Sequence, residues 1–463
     1  MEVIADAGEW AQVQFGGVVL GDPRRTRRLV KCAARIAAHP GRTFPQIFDW
    51  NELRGFYNLC NQATATLPTV QRPHWERTRA AMSLLPLVLL VHDTSELDFT
   101  THRVLRGDGP IGDNRGHGFL QHNSLAFTAD GARLLGLAYQ QLYIRQPTPA
   151  RETNHARKRR ERESQLWMQG IAAVGKPPDG SVWVDIGDRG ADIYEAMEMS
   201  KTMDHEFLFR ACQNRKVYVT EGQDQEDYLM DWARQLPARG SDRVEIMGRG
   251  GRPPRTAKVR LAAGPVWLPA PKDTPGRKSR PIIPAWVVRI WEPEPPQGVK
   301  EPLEWVLLSS LAVRTVKEMK VRRDWYGLRW GVEVYHDVEK NGCIEEDRKF
   351  ETAERMEACL AVLSVVAVRI YQLRLAVRTS AEQSAKTIAT DIEIKVVCNL
   401  LNELPDQTRT PEILTVCDFI RAVAKLGGFL GRKGDGEPGV RCLWRGYQRL
   451  QDMVIGFNLA NPN

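Results

Sequence analysis

The chain has 463 residues, 42% of them hydrophobic, and carries a formal net charge of +8. That length exceeds what one ordinary core accommodates, so roughly two to four domains are expected. Eight cysteines are scattered with no CxxC and no Cys/His ligand spacing, which excludes a zinc site or disulfide framework as the working reading and points to a reducing compartment. The positive charge is uneven. Arginines cluster at Arg24, Arg25, Arg27 and Arg28 and again over 157–162, and basic residues recur along 249–280. Clustered cations fit a polyphosphate partner better than a uniformly basic surface does, although any single cluster is commonly just a solvated face. The first ten residues lack a basic stretch ahead of an apolar run, and the most apolar segment, 358–368, is too short to span a bilayer. A cytoplasmic protein with no membrane partner and no small-molecule substrate is expected.

Residues 1–70 read as helical. Asp22 suits an N-cap, Pro23 the first helical position, and basic residues continue to Lys31 and Arg35 above an apolar side of Ala33, Ala34, Ile36 and Ala37. Helices with an exposed arginine row make a reasonable DNA-contacting module, without a demonstrable helix-turn-helix. Next, "LPLVLLVHDTS" is an apolar run ending in polar residues, as a strand buried on both faces should be. "LQHNSLAFT" and "RLLGLAYQQLYI" flank "ADGA" and predict a hairpin. "SVWVDIGDRGADIYEAM" passes from strand through a glycine turn into a helix, and "HEFLFRAC" reads as a further strand. Three strands, a helix, and two more strands with a helix between them is the order of the ribonuclease-H-like fold.

From 213 to about 303 prolines, glycines and basic residues dominate, broken by short β-type runs such as "AWVVRIW". That is too long for a loop and predicts a β-rich insertion. The C-terminal part reads as helical: "PEILTVCDFIRAVAKLGGFLG" stops at a glycine pair, and Leu443, Tyr447, Leu450, Val454 and Phe457 form a stripe. Such a stripe serves either an intermolecular seam or a buried core face.

The most informative segment is "DWYGLRWGVEVYHDVEK". At about 100° per residue, one helix would bring Tyr326, Arg329, Glu333 and Lys340 into an arc of roughly 60°. Leu328, Val332, Tyr335 and Val338 would form the opposite, buried side. Taken alone, this is a carboxylate, two cations and an aromatic on one face, more readily read as a solvated face with an Arg329/Glu333 pair. The spacing itself, Tyr, two residues, Arg, three residues, Glu, six residues, Lys (YREK), resembles the signature of the insertion-sequence-four family of bacterial cut-and-paste DDE transposases. "LGDPRRTRRLVKCAARIA", "KLGGFLGRK" and "LWRGYQRLQDMVIGFNLA" resemble that family's N-terminal DNA-binding and C-terminal dimerisation regions, so the resemblance spans essentially the whole chain.

The resemblance implies an α/β fold: a ribonuclease-H-like catalytic core over 71–212 and 304–375, interrupted by the insertion at 213–303. Helical DNA-binding (1–70) and dimerisation (376–463) domains would flank it. It implies a catalytic, metal-binding triad of Asp93, Asp188 and Glu333. Glu96, Asp98, Asp185 and Asp192 lie near enough to compete, Asp185 most strongly. Three converging carboxylates repel one another without cations, which implies two Mg²⁺ ions, with Mn²⁺ as a substitute. Tyr326, Arg329 and Lys340 would contact phosphates, as would Arg210 and the arginines 24, 25, 27 and 28. Trp305, 21 residues before Tyr326, matches the family's base-flipping tryptophan, and Trp330 would support the same distorted end. Cys212 stands where lysine is expected, a contact that Arg215 or Lys216 could replace, and Gly190 stands where a glutamate is expected. The implied partners are transposon-end duplex DNA, target DNA and a second copy of the chain in a synaptic complex. The competing readings are an inactive DNA-binding inhibitor and a structure-specific nuclease without strand transfer.

Overall fold

A computed structural model describes residues 4–146, 162–246, 254–272, 274, 276–299, 301–402, 410–432 and 434–461. The arginine cluster expected over 157–162 lies, except for Arg162, outside the described residues. The helices are α1 (Ala7–Phe15), α2 (Pro23–Ala38), α3 (Phe44–Ile47), α4 (Trp50–Cys60), α5 (Leu67–Ser83), α6 (Gln165–Val174), α7 (Tyr194–Thr202), α8 (Leu229–Gln235), α9 (Val316–Gly327), α10 (Trp330–Asp337), α11 (Ala353–Ser380), α12 (Asp391–Asn402), α13 (Val416–Leu426) and α14 (Val440–Ala460). The strands are β1 (Leu87–Asp98), β2 (Gly109–Ile111), β3 (Gly116–Thr128), β4 (Leu134–Tyr143), β5 (Val182–Gly187), β6 (Glu206–Arg210), β7 (Lys216–Tyr218), β8 (Glu226–Tyr228), β9 (Gly240–Ile246), β10 (Arg255–Leu268), β11 (Ile283–Trp291) and β12 (Glu304–Ser309).

The chain divides into two compact units. One comprises Met1–Leu84, Thr94–Arg160 and Gly331–Asn463, the other Leu85–Asp93 and Glu161–Trp330. In the first unit, α2 begins as its sequence dictates. The Asp22 carboxylate accepts the Arg24 N–H at 2.8 Å, and Pro23 occupies the first turn, where no intrahelical donor is needed. Leu29, Cys32, Ala33, Ile36 and Ala37 are buried, whereas Arg24, Arg27 and Arg28 are exposed. Ala34, expected on the apolar side, is only half-buried. β3 and β4 form the expected antiparallel hairpin, with β2 a short antiparallel addition to β3.

Helix α11 is the unit's central element. Its 28 residues include an apolar window long enough to cross a membrane, but 89% of that window is buried inside the protein. The length argument applied to 358–368 therefore fails, because the helix runs well past that segment; burial within the fold is what accounts for its apolarity. Leu443, Leu450 and Val454 of the C-terminal stripe join Leu373, Phe419 and Val423 in a core shared by α11 to α14. The stripe is a buried core face along most of its length.

In the second unit β5 lies parallel to β1 and to β6, and β12 lies antiparallel to β6. Beyond β12 the order continues β11, β10, β7, β8, with β9 pairing the other part of β10. The insertion is thus β-rich, and its long β10/β11 pairing runs from Arg260↔Trp291 to Leu268↔Ile283. Phe207 and Phe209 of β6, Val266 of β10 and Leu308 of β12 pack with Trp167 of α6 and Tyr194 of α7 into one core. The fold is mixed α/β, with helical N- and C-terminal parts and a strand order consistent with a ribonuclease-H-like core.

Candidate active site

The register between β1 and β5 runs from Leu87↔Val182 to Val91↔Ile186. β1 continues past Asp93 to Asp98, so Asp93 lies within the strand and not at its end as the sequence suggests, while Asp188 is the first residue beyond β5. The same register carried two residues past its last pair would set the two opposite each other, at the strand spacing of about 4.8 Å. Asp93 keeps 14% side-chain exposure, and its Oδ2 lies 3.3 Å from Nη1 of Arg329. Asp188 is half-buried and caps the single 3₁₀ turn Arg189–Ala191, where Oδ1 accepts the Gly190 N–H at 2.7 Å. A side chain at Gly190 would begin with its Cβ 3.0 Å from the Trp167 ring.

The competing acids are engaged in other bonds. Asp185 lies three residues from Asp188 along the chain and so faces the other side of the sheet. It has no exposure and is bound by His92 Nε2 at 3.0 Å, Ser200 Oγ at 2.7 Å and His205 Nδ1 at 3.1 Å. Burial opposes its charge, but the two histidines outweigh burial and hold its pKa far below the usual carboxylate range. Burial likewise opposes charge on His205, and the adjacent Asp185 carboxylate nevertheless raises that pKa. Asp192 is fully buried, accepting the N–H groups of Cys212 at 2.7 Å and Gln213 at 2.9 Å and pairing with Arg215. Arg215 is therefore committed, as is Lys216, which pairs with Glu226 at 2.7 Å. Glu96 accepts the Gly112 N–H and Asp98 the Thr100 N–H, both at 2.8 Å.

The single helical face expected from Tyr326 to Lys340 does not form. Helix α9 ends at Gly327, the Leu328 N–H closes its last turn, and α10 starts afresh at Trp330. A π-helical segment, Val338–Gly342, then carries Lys340, so the 100° step is broken twice between the first and last residue of the quartet. Tyr326 is buried and packs edge-to-face on Trp305, ring centroids 5.1 Å apart. Trp305 is half-buried on β12, and Trp330 is 44% exposed. Arg329 sits in the turn beside Asp93, and Glu333 is half-buried on α10. Lys340 bonds the Glu96 carbonyl and lies 3.4 Å from Glu346. Val332, Tyr335 and Val338 are buried as expected, but Leu328 is only half-buried. Arg210 Nη2 donates to the Glu304 carbonyl at 3.3 Å.

Sequence reasoning missed two buried acids in the π segment and the turn after it. Glu339 and Glu345 are 1% and 0% exposed, and burial pushes both pKa values up, with the Glu339 charge further raising that of Glu345. The Gln140 amide donates to Glu339 at 3.2 Å. The run "EKNGCIEED" looks like a solvated turn; the only signal against that reading was its position beside the buried Val338 and Cys343.

Among the described residues, no three His, Cys, Asp or Glu side chains stand grouped for a metal ion. The second unit does offer two carboxylates on the adjacent strand β1 and the turn after β5, the hard oxygen donors that Mg²⁺ takes, with the Arg329 guanidinium supplying countercharge to Asp93. Residues 7–65 match a family model described as transposase DNA-binding, and residues 365–462 match one described as the transposase Tn5 dimerisation domain. The two matched segments are therefore similar to the DNA-binding and dimerisation parts of Tn5-type transposases. Helix α2 and its arginines fall inside the first match, and α12 to α14 inside the second.

Proposed function

We propose that this chain performs cut-and-paste DNA transposition as a member of the insertion-sequence-four type with the YREK signature, with Asp93, Asp188 and Glu333 as its catalytic carboxylates. The reading is supported chiefly by one observation: β1 and β5 run parallel and in register up to Val91↔Ile186, two residues short of Asp93 and Asp188, in a chain with transposase DNA-binding and dimerisation matches near its two ends. Asp93, Asp188 and Glu333 would hold two Mg²⁺ ions, which when bound stabilise the entering and departing oxygens of displacement at phosphorus. The exposed edge of Asp93 leaves it reachable by a strand, whereas Asp185 lies fully buried behind the sheet. Arg329, beside Asp93, is positioned to exchange its carboxylate partner for a phosphate oxygen once DNA enters, a bidentate match for guanidinium. Lys340 and Arg210 would add phosphate contacts.

The proposed sequence is nicking at a transposon end, attack of the freed 3′-OH on the opposite strand to give a hairpin, hairpin hydrolysis, and strand transfer to target DNA. Trp305 would receive a displaced base, with its edge-on partner Tyr326 swinging to the backbone. The test uses supercoiled plasmid bearing the inverted repeats that flank the coding region, incubated with the full chain and MgCl₂. Hairpin ends and joined products are expected, with none from Asp93→Ala. Nicking by Asp93→Ala equal to that of the unaltered chain would refute the assignment.

A further inference from the structure

In the first unit the loop after α2, the glycine pair after α13 and the helix α14 line an open cavity of about 500 Å³ whose charge the proposed transposition chemistry does not use. Arg42, Arg445 and Arg449 line it together with the amides of Gln46 and Gln448, and Asp452 is the one acid. Arg42 is paired with Asp452, which leaves Arg445 and Arg449 with no carboxylate partner among the described residues. Arg449 donates to the Leu426 carbonyl, and Arg445 makes no hydrogen bond or ion pair among the described residues. The walls are fixed. Gln448 donates to the Pro40 carbonyl at 2.6 Å, Arg348 donates to the Arg42 carbonyl at 3.0 Å, and a Cβ at Gly41 (φ +74°) would collide with the Gln448 amide.

We infer that this cavity is a binding site for a phosphate group. Three guanidinium forks and two amides offer more donors than one carboxylate can accept, while a phosphate brings three or four acceptor oxygens. The site joins the segment matched to a DNA-binding domain, through Arg42 and Gln46, to the helix matched to a dimerisation domain, through Arg445 and Arg449. A bound phosphate would hold the two together. The occupant is either a DNA backbone phosphate or a free phosphate or pyrophosphate.

Two arms separate these sources, using the full chain and the variants Arg445→Gln and Arg445→Gln/Arg449→Gln. Because Arg445 makes no hydrogen bond or ion pair among the described residues, the single variant keeps the test valid should the double variant unfold. Calorimetric titration with pyrophosphate, against chloride of equal ionic strength, is expected to show binding that weakens roughly tenfold in Arg445→Gln. Duplex DNA binding is expected to lose about one unit of its log–log salt slope per arginine removed. A slope change assigns the site to DNA; pyrophosphate binding lost at constant slope assigns it to the free anion. Unchanged behaviour in both arms, or an acidic peptide that binds where pyrophosphate does not, overturns the inference. The pyrophosphate arm stands even if the chain neither cuts nor binds DNA.

Discussion

Asp93 and Asp185 place the same side chain in different surroundings, and the proposed function gives them different work. Asp93 is partly exposed and has one guanidinium beside it, so Asp93→Asn should abolish strand cutting while lowering unfolding free energy by about 1 kcal/mol or less. Asp185 is surrounded by two histidines and a serine hydroxyl, so Asp185→Ala leaves buried donors unpaired and should cost about 3 kcal/mol or more. Denaturant unfolding of both variants, set against nicking assays, separates the two roles. Loss of stability in Asp93→Asn matching that in Asp185→Ala would mean that Asp93 is structural. Glu339 gives a second residue-level prediction. Burial raises its pKa to about 8, so between the ordinary carboxylate value of 4.5 and about 8 the folded chain binds more protons than the unfolded chain. By linkage, this contribution to stability is fully present below pH 4.5 and fades as pH rises toward and through 8. Glu339→Gln, which stays neutral, should remove that decline and melt higher than the unaltered chain at pH 8. Melting curves recorded from pH 5 to 8.5 check it, and parallel curves for the two proteins would count against a buried, protonated Glu339.

At the scale of elements, sequence legibility depended on whether local rules sufficed. The start of α2 was legible because Asp22 and Pro23 act on adjacent backbone groups, and Asp22→Ala should accordingly cost about 1 kcal/mol in thermal or denaturant unfolding. The strands β1, β5 and β6 were legible because continuous apolar runs ending in polar residues have few alternative homes. The quartet from Tyr326 to Lys340 was legible as a motif but not as a shape. Gly327 and Gly331 weaken a helix without saying where it breaks, and nothing local announces the π segment. The choice between Asp185 and Asp188 needed strand parity plus the partners His92 and His205, which come from other parts of the chain. Trp305 sits between these cases. A core tryptophan and a base receptor read alike in sequence, whereas in the structure the ring is half-buried and packs edge-on against Tyr326. Trp305→Ala should therefore slow hairpin formation more than first nicking in a time course of end cleavage. Equal slowing of both steps would reduce Trp305 to a packing residue.

For the molecule as a whole, the remaining question is which surface a second copy would use. The match to a dimerisation domain covers residues 365–462, but most of the apolar stripe on α14 is already consumed within the chain's own core. Leu443, Leu450 and Val454 point inward, so they cannot also form a seam. What α14 leaves to solvent are Ile455, 47% exposed, and Leu459, 78% exposed, one helical turn apart on its last stretch. Two such side chains, buried against a partner, contribute at least about 3 kcal/mol, or roughly a 100-fold change in dimer dissociation constant. Replacing both with glutamate should therefore shift sedimentation toward monomer, with and without DNA, while the melting temperature stays near that of the unaltered chain. Because the proposed transposition would join two ends through two copies, the same variant should still bind single ends in gel-shift assays yet produce no joined product. If it sediments as a dimer at unchanged concentration, the seam lies elsewhere. Leu430, 68% exposed just beyond the glycine pair that ends α13, is then the next position to charge.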